Sequence, residues 1–134
     1  MNIQKQQYAI RTRVSLPHAQ ALARTKAALQ AEGFGVLSEI DMKEKFKEKL
    51  GVDFKHYTIL GACNPPLAHK AVQAEPEIGL LLPCNVIVYD SGDGGSIVSA
   101  IDPDSMSAVI GDNAAVEEVA RDARARLERA VRAL

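Results

Sequence analysis

The chain has 134 residues, the length of one compact domain, and its 47 % hydrophobic and 25 % charged composition is that of a globular protein rather than a disordered one. A net charge of −1, no tryptophan and six scattered phenylalanines and tyrosines exclude the basic, aromatic-rich surface of a nucleic-acid binder. The longest apolar run, Ile78 to Val88, is broken by Pro83 and Asn85 and falls short of a membrane span, and residues 1–10 lack the apolar core of a signal peptide.

The expectation is a cytoplasmic protein with no nucleic-acid or membrane partner. Its two cysteines are too few for a disulfide framework and are expected as thiols.

Along the chain, Tyr8, Ile10, Thr12 and Val14 alternate with Ala9, Arg11 and Arg13, the pattern of a half-buried strand. Ser15 followed by Leu16-Pro17 is a candidate helix start, and Ala21, Leu22, Thr25, Ala28 and Leu29 recur at helical spacing up to Gly33. Phe34 to Ile40 is expected as a strand with Phe34, Val36 and Ile40 on one face. Asp41-Met-Lys-Glu44 opens a short lysine-rich helix that stops at Gly51. His56 to Ala62 is a third strand, ended by Pro65-Pro66, which lack ladder donors.

Leu67 to Gln73 is a short helix with Glu75-Pro76 as its exit. Residues 84–90 and 96–101 are β-branched runs joined by the hairpin connection Ser91-Gly-Asp-Gly-Gly95. Asp102-Pro103 closes the last strand, and Asp104 to Ile110 adds a helical turn or two. In the final helix, about 113–134, Val116, Ala120, Ala123, Leu127, Ala130 and Leu134 form a continuous apolar seam. Acids early and arginines late suit its dipole, and Glu117–Arg121, Asp122–Arg126 and Glu128–Arg132 have favourable i,i+4 spacing. The fold class is α+β: a mainly antiparallel sheet with helices on one face, in a single domain of residues 1–134 (core about 8–103, terminal helix about 113–134).

The most distinctive segments are Ile59-Leu-Gly-Ala-Cys-Asn-Pro65 and Glu75-Pro-Glu-Ile-Gly-Leu-Leu-Leu-Pro-Cys-Asn85, followed by Val86-Ile-Val-Tyr89. With Gly33-Phe-Gly-Val-Leu-Ser-Glu-Ile40 upstream, they closely resemble the family known as domain of unknown function 302, over roughly Tyr8 to Pro103. The resemblance implies a compact α+β fold like half of the TATA-binding-protein saddle, in strand–helix–four strands–helix order, and usually a homodimer. It implies no DNA binding, because fold likeness carries no function and the basic surface is missing. It implies no reaction either.

The candidate chemistry gathers at the two Cys-Asn dipeptides. Cys63, Asn64 and Pro65 end one strand, while Cys84 and Asn85 begin another. If those strands are antiparallel neighbours, the dipeptides share one end of the sheet. They would then form a paired thiol site, redox or metal, or simply two buried packing groups. No Lys, Arg or His flanks either cysteine, which favours packing. His69 would complete a Cys63–His69–Cys84 metal set, with Asp53, His56 or water as the fourth ligand, although the spacing matches no compact zinc motif.

Asn64 before proline is a turn starter, whereas Asn85 enters an apolar strand, where its amide needs partners. Ser91–Gly95 lacks the helix and lysine of a phosphate cradle, and the lysine-rich helix also carries Glu44 and Glu48, the composition of a solvated face. The leading expectation is a small-ligand-binding homodimer with no cofactor, its pocket lined by Cys63, Asn64, Pro65, Cys84 and Asn85. The alternatives are a thiol- or metal-dependent enzyme using Cys63 and Cys84, and a pure interaction module.

Overall fold

The computed structural model describes residues 4, 5 and 8–134. In chain order the elements are β1 (Gln4–Lys5), β2 (Ala9–Val14), α1 (His18–Ala31), β3 (Gly35–Asp41), α2 (Met42–Leu50) and β4 (Tyr57–Cys63). They continue with α3 (Pro65–Ala74), a 3-10 helix (Pro76–Leu81), β5 (Cys84–Asp90), β6 (Ser96–Ile101), α4 (Pro103–Ile110) and α5 (Ala114–Arg132). The strands form one sheet in the order β1-β2-β6-β5-β4-β3, antiparallel throughout. The fold class is α+β, as the alternation and helical spacing predict.

Period-two patterning sets the core. Ile10 and Val14 of β2, Leu60 and Ala62 of β4, Val86 and Val88 of β5, and Val98 and Ala100 of β6 are buried on one face of the sheet. They pack against Ala21 and Leu29 of α1 and Leu127, Ala130 and Val131 of α5. The expected seam of α5 is buried from Val116 to Ala130, with Leu134 half-buried at its end. Asn113 starts this helix by accepting from the Val116 amide at 3.2 Å. Asp41 likewise accepts from the Glu44 amide at 3.0 Å, and Gly51, at φ +67°, closes α2 in the left-handed conformation.

The structure departs from expectation in several places. Ser15 does not cap α1, which begins after Pro17 with no side-chain cap; the Ser15 hydroxyl instead accepts from Arg13 at 2.9 Å. Pro65-Pro66 do more than end β4: they are the first turn of α3, where missing amide hydrogens cost nothing. Phe34, Val36 and Ile40 do not share a face, because a bulge at Leu37 sets Val36 opposite Ala62 but Ile40 opposite Ile59. The 3-10 helix had no sequence signal.

Residues opposite one another on antiparallel neighbours share a face, so Ile40, Ile59, Ile87, Ser99 and Arg11 form a row on the side away from the core. Beside it run Tyr57, Tyr89 and Ile97, with the two tyrosine rings stacked at 5.3 Å. Phe54 and Phe46 extend this aromatic group onto α2. Among the described residues, no helix is long and apolar enough to cross a membrane.

Candidate functional site

The end of β4 lies beside the start of β5, with Ala62 opposite Cys84, so the two Cys-Asn dipeptides do meet at one end of the sheet. Their registers differ by one residue. Cys63 and Cys84 are therefore neighbours at this end of the sheet rather than directly opposed residues. Both are free thiols, Cys84 buried and Cys63 half-buried. Burial, with a smaller contribution from Cys63, pushes the Cys84 thiol up to about 11. At neutral pH it is protonated and a poor nucleophile.

The glycine before this end has a definite role. A side-chain carbon on Gly61 would lie 2.8 Å from the Pro83 ring and would also strike the Ser38 hydroxyl, so only glycine lets β3 and the Pro83 turn close over β4. Asn64 is buried, and its side-chain oxygen accepts from the Leu67 amide at 3.3 Å, capping α3. Asn64 thus takes the turn-forming role expected of it.

Beneath the two turns, on the helical side of the sheet, is a cavity of about 330 Å³. Ala62, Cys63, Asn64, Pro83 and Cys84 form its sheet end. Leu67 and Ala71 of α3, Ile78 and Leu82 close one side, and Met106 of α4 with Val116, Val119 and Ala120 of α5 close the other. Leu37, largely exposed, stands at the mouth, where the bulge has re-aimed it. Among the described residues, no charged side chain lines the space. Of its polar liners, Ser107 is already committed, donating to the Asp104 carbonyl at 3.0 Å. The arrangement can enclose an apolar body; it offers no charged group to move a proton.

Not every candidate residue reaches the cavity. Pro65 is exposed on the first turn of α3 and is not among the lining residues. Asn85 is exposed, opposite Gly61, and does not line the cavity either. His69 is exposed on α3, away from the lining, and among the described residues no three His, Cys, Asp or Glu side chains converge as metal ligands. The walls from α3 and α5 carried one sequence signal, alanines at the buried positions Ala71, Ala120 and Ala123, where larger side chains would have filled the space.

A second polar group lies toward the other end of β4. His18, at the start of α1, hydrogen-bonds Thr58 through Nε2 at 3.0 Å and stacks on His56, with ring centroids 5.0 Å apart. Burial first, and the neighbouring His56 second, lower the His18 pKa below the usual imidazole range, against opposing contributions from Asp41, the Val88 backbone and Asp90.

The family model described as "Domain of unknown function DUF302" matches residues 10–134. The chain belongs to the DUF302 family. A crystal structure of an uncharacterized conserved DUF302 protein from Bacillus stearothermophilus is 30 % identical in sequence and superposes with a TM-score of 0.86. The match covers 95 % of this chain and 98 % of that one. Among curated proteins, none matches this DUF302 chain.

Proposed function

We propose that this DUF302 chain acts as one small-ligand-binding domain, and that the cavity at the Cys-Asn turns receives a compact apolar body. The observation that carries the reading is the cavity itself: about 330 Å³, inside the usual range for small-molecule sites, walled by aliphatic and sulfur side chains. Cys63, Asn64 and Cys84 contribute as wall and scaffold in this reading, and Asn64 holds the turn that shapes the end of the space. The enzyme alternative is weaker. The Cys84 thiol is held protonated, and among the described residues no lysine, arginine, histidine or carboxylate lines the space to activate it.

The proposal extends to a homodimer formed through the sheet face that bears Ile40, Ile59, Ile87 and Ile97. Ile40 is 41 % exposed and the other three are only half-buried, an apolar patch across two adjacent rows whose burial against a second copy would be favourable. Two unbridged thiols suit the reducing cytoplasm.

Isothermal titration with naphthalene tests the cavity directly. Wild-type protein is expected to bind it, as concave apolar sites bind small aromatics, and Ala71→Phe, which places a ring in the same space, is expected to abolish binding. No heat of binding to the wild type, or equal binding to the two proteins, rejects the reading.

A further inference from the structure

The cavity does not end at a uniform wall. Leu67 of α3 and Val119 of α5 border it on one side and, on the other, a groove between the same two helices. That groove is lined by Lys70 and Gln73 of α3 and by Glu118 and Asp122 of α5. Asp122 is already engaged, holding Arg126 at 2.8 Å. Lys70 and Glu118 have no ion pair among the described residues, which leaves one cation and one anion facing the same groove.

We propose that the ligand is a single-chain amphiphile, its alkyl chain in the apolar cavity and its polar head in the α3–α5 groove between Lys70 and Glu118. The inference rests on the cavity reading above and adds to it a direction and a head group. The chemistry follows from the two linings. The cavity accepts hydrocarbon and rejects charge, since an ion there would lose its hydration without gaining a partner. The groove supplies donors from Lys70 and Gln73 and acceptors from Glu118 and Gln73. One charge of each sign at its rim suits a head with no net charge, such as an alcohol, an amide or a zwitterion. Val119 is half-buried where the two spaces adjoin, and the chain passes beside it.

Three probes with one chain length and different heads separate this arrangement from a buried or randomly placed head: decanol, decylamine and decanoate. They are titrated below their micelle-forming concentrations at neutral pH into wild type, Lys70→Gln and Glu118→Gln. Removing the lysine is expected to strengthen decylamine and weaken decanoate by about two- to fivefold, the size of an exposed charge contact. Removing the glutamate is expected to do the reverse, with decanol unchanged in both variants.

Charged probes that respond to neither variant, or that shift in the same direction, overturn the placement of the head in the groove. Both lie on exposed helix positions, so the variants fold, and thermal melting of each checks this. Naphthalene titration distinguishes the two failures. If naphthalene binds while the amphiphiles ignore Lys70 and Glu118, the head assignment fails and the cavity stands. If naphthalene does not bind, the cavity reading fails and takes this inference with it.

Discussion

Replacing Ala71 with phenylalanine should stabilise the protein, although large-for-small substitutions at buried sites ordinarily destabilise. Ala71 is only 2 % exposed, yet it borders about 330 Å³ of unfilled space. Burying a phenylalanine side chain there gains about 1.5–3 kcal/mol. Fixing its rotamer costs about 0.5–1 kcal/mol. Its lower helix propensity costs about 0.5 kcal/mol more. The net expectation is a gain of about 1 kcal/mol, the centre of the interval of about 0–2 kcal/mol that these ranges leave.

Ala100 of β6 is the control. It is 1 % exposed, and the void it borders is only about 10 Å³. A phenylalanine there overpacks a filled core and should cost about 1–3 kcal/mol or more. Urea unfolding of the three proteins, compared at constant m-value, measures both differences. A loss in Ala71→Phe as large as that in Ala100→Phe would falsify the claim that the space is open and rigid enough to receive a ring.

Other expectations follow from individual contacts. Leu127→Ala, at a site with no exposure in the main core, should cost about 2–5 kcal/mol in the same urea assay. Arg126→Ala should cost about 1–2 kcal/mol, more than a simple surface pair, because its guanidinium also donates to the Glu32 carbonyl at 3.2 Å at the end of α1; a loss near zero refutes that tie. Gly61→Ala should destabilise by about 1–3 kcal/mol and lose less in a Ser38→Gly background, and equal losses in both would mean that Ser38 is not the obstacle.

The wild type is expected to sediment as a dimer in sedimentation equilibrium, and Ile87→Glu on the open sheet face as a folded monomer; a monomeric wild type rejects the proposed interface. The pH response has two arms. The folded His18 pKa is lowered, so below the unfolded value of about 6.5 the unfolded chain takes up the proton first and stability falls as pH falls toward the lower folded value. Cys84 is raised to about 11, so the unfolded thiol ionises first and stability also falls as pH climbs from about 9 toward that value. Urea midpoints across pH should lose the acid arm in His18→Gln and the alkaline arm in Cys84→Ala.

Much of the architecture was legible because it follows from periodicity. The hairpin strands Cys84–Asp90 and Ser96–Ile101 and the seam of α5 are where alternation and helical spacing put them. Antiparallel pairing of β4 with β5 followed from strand order, and it brought the Cys-Asn dipeptides to one end. Their inequivalence was legible only in part, from the proline that follows Asn64 and the apolar strand that follows Asn85. The two dipeptides look alike in sequence, but one asparagine leaves a strand and caps a helix, while the other enters a strand and is exposed. That Asn85 is exposed opposite Gly61 depends on the register, a long-range property. The bulge at Leu37 and the 3-10 helix were hidden for a related reason: neither is long enough to repeat a pattern, and both are set by what packs against them. The cavity's far wall comes from α4 and α5, distant in sequence from the cysteines, so local motifs could not show it.

The stacked tyrosines bear on how this protein can be observed. With no tryptophan in the chain, its intrinsic emission comes from three tyrosines, and two of them, Tyr57 and Tyr89, are in ring-to-ring contact on the uncovered sheet face. Neither borders the cavity beneath the Cys-Asn turns. Unlabelled fluorescence therefore carries a spatially selective signal: an object settling on the isoleucine row changes the surroundings of the emitting pair, whereas a molecule entering the cavity leaves them as they were.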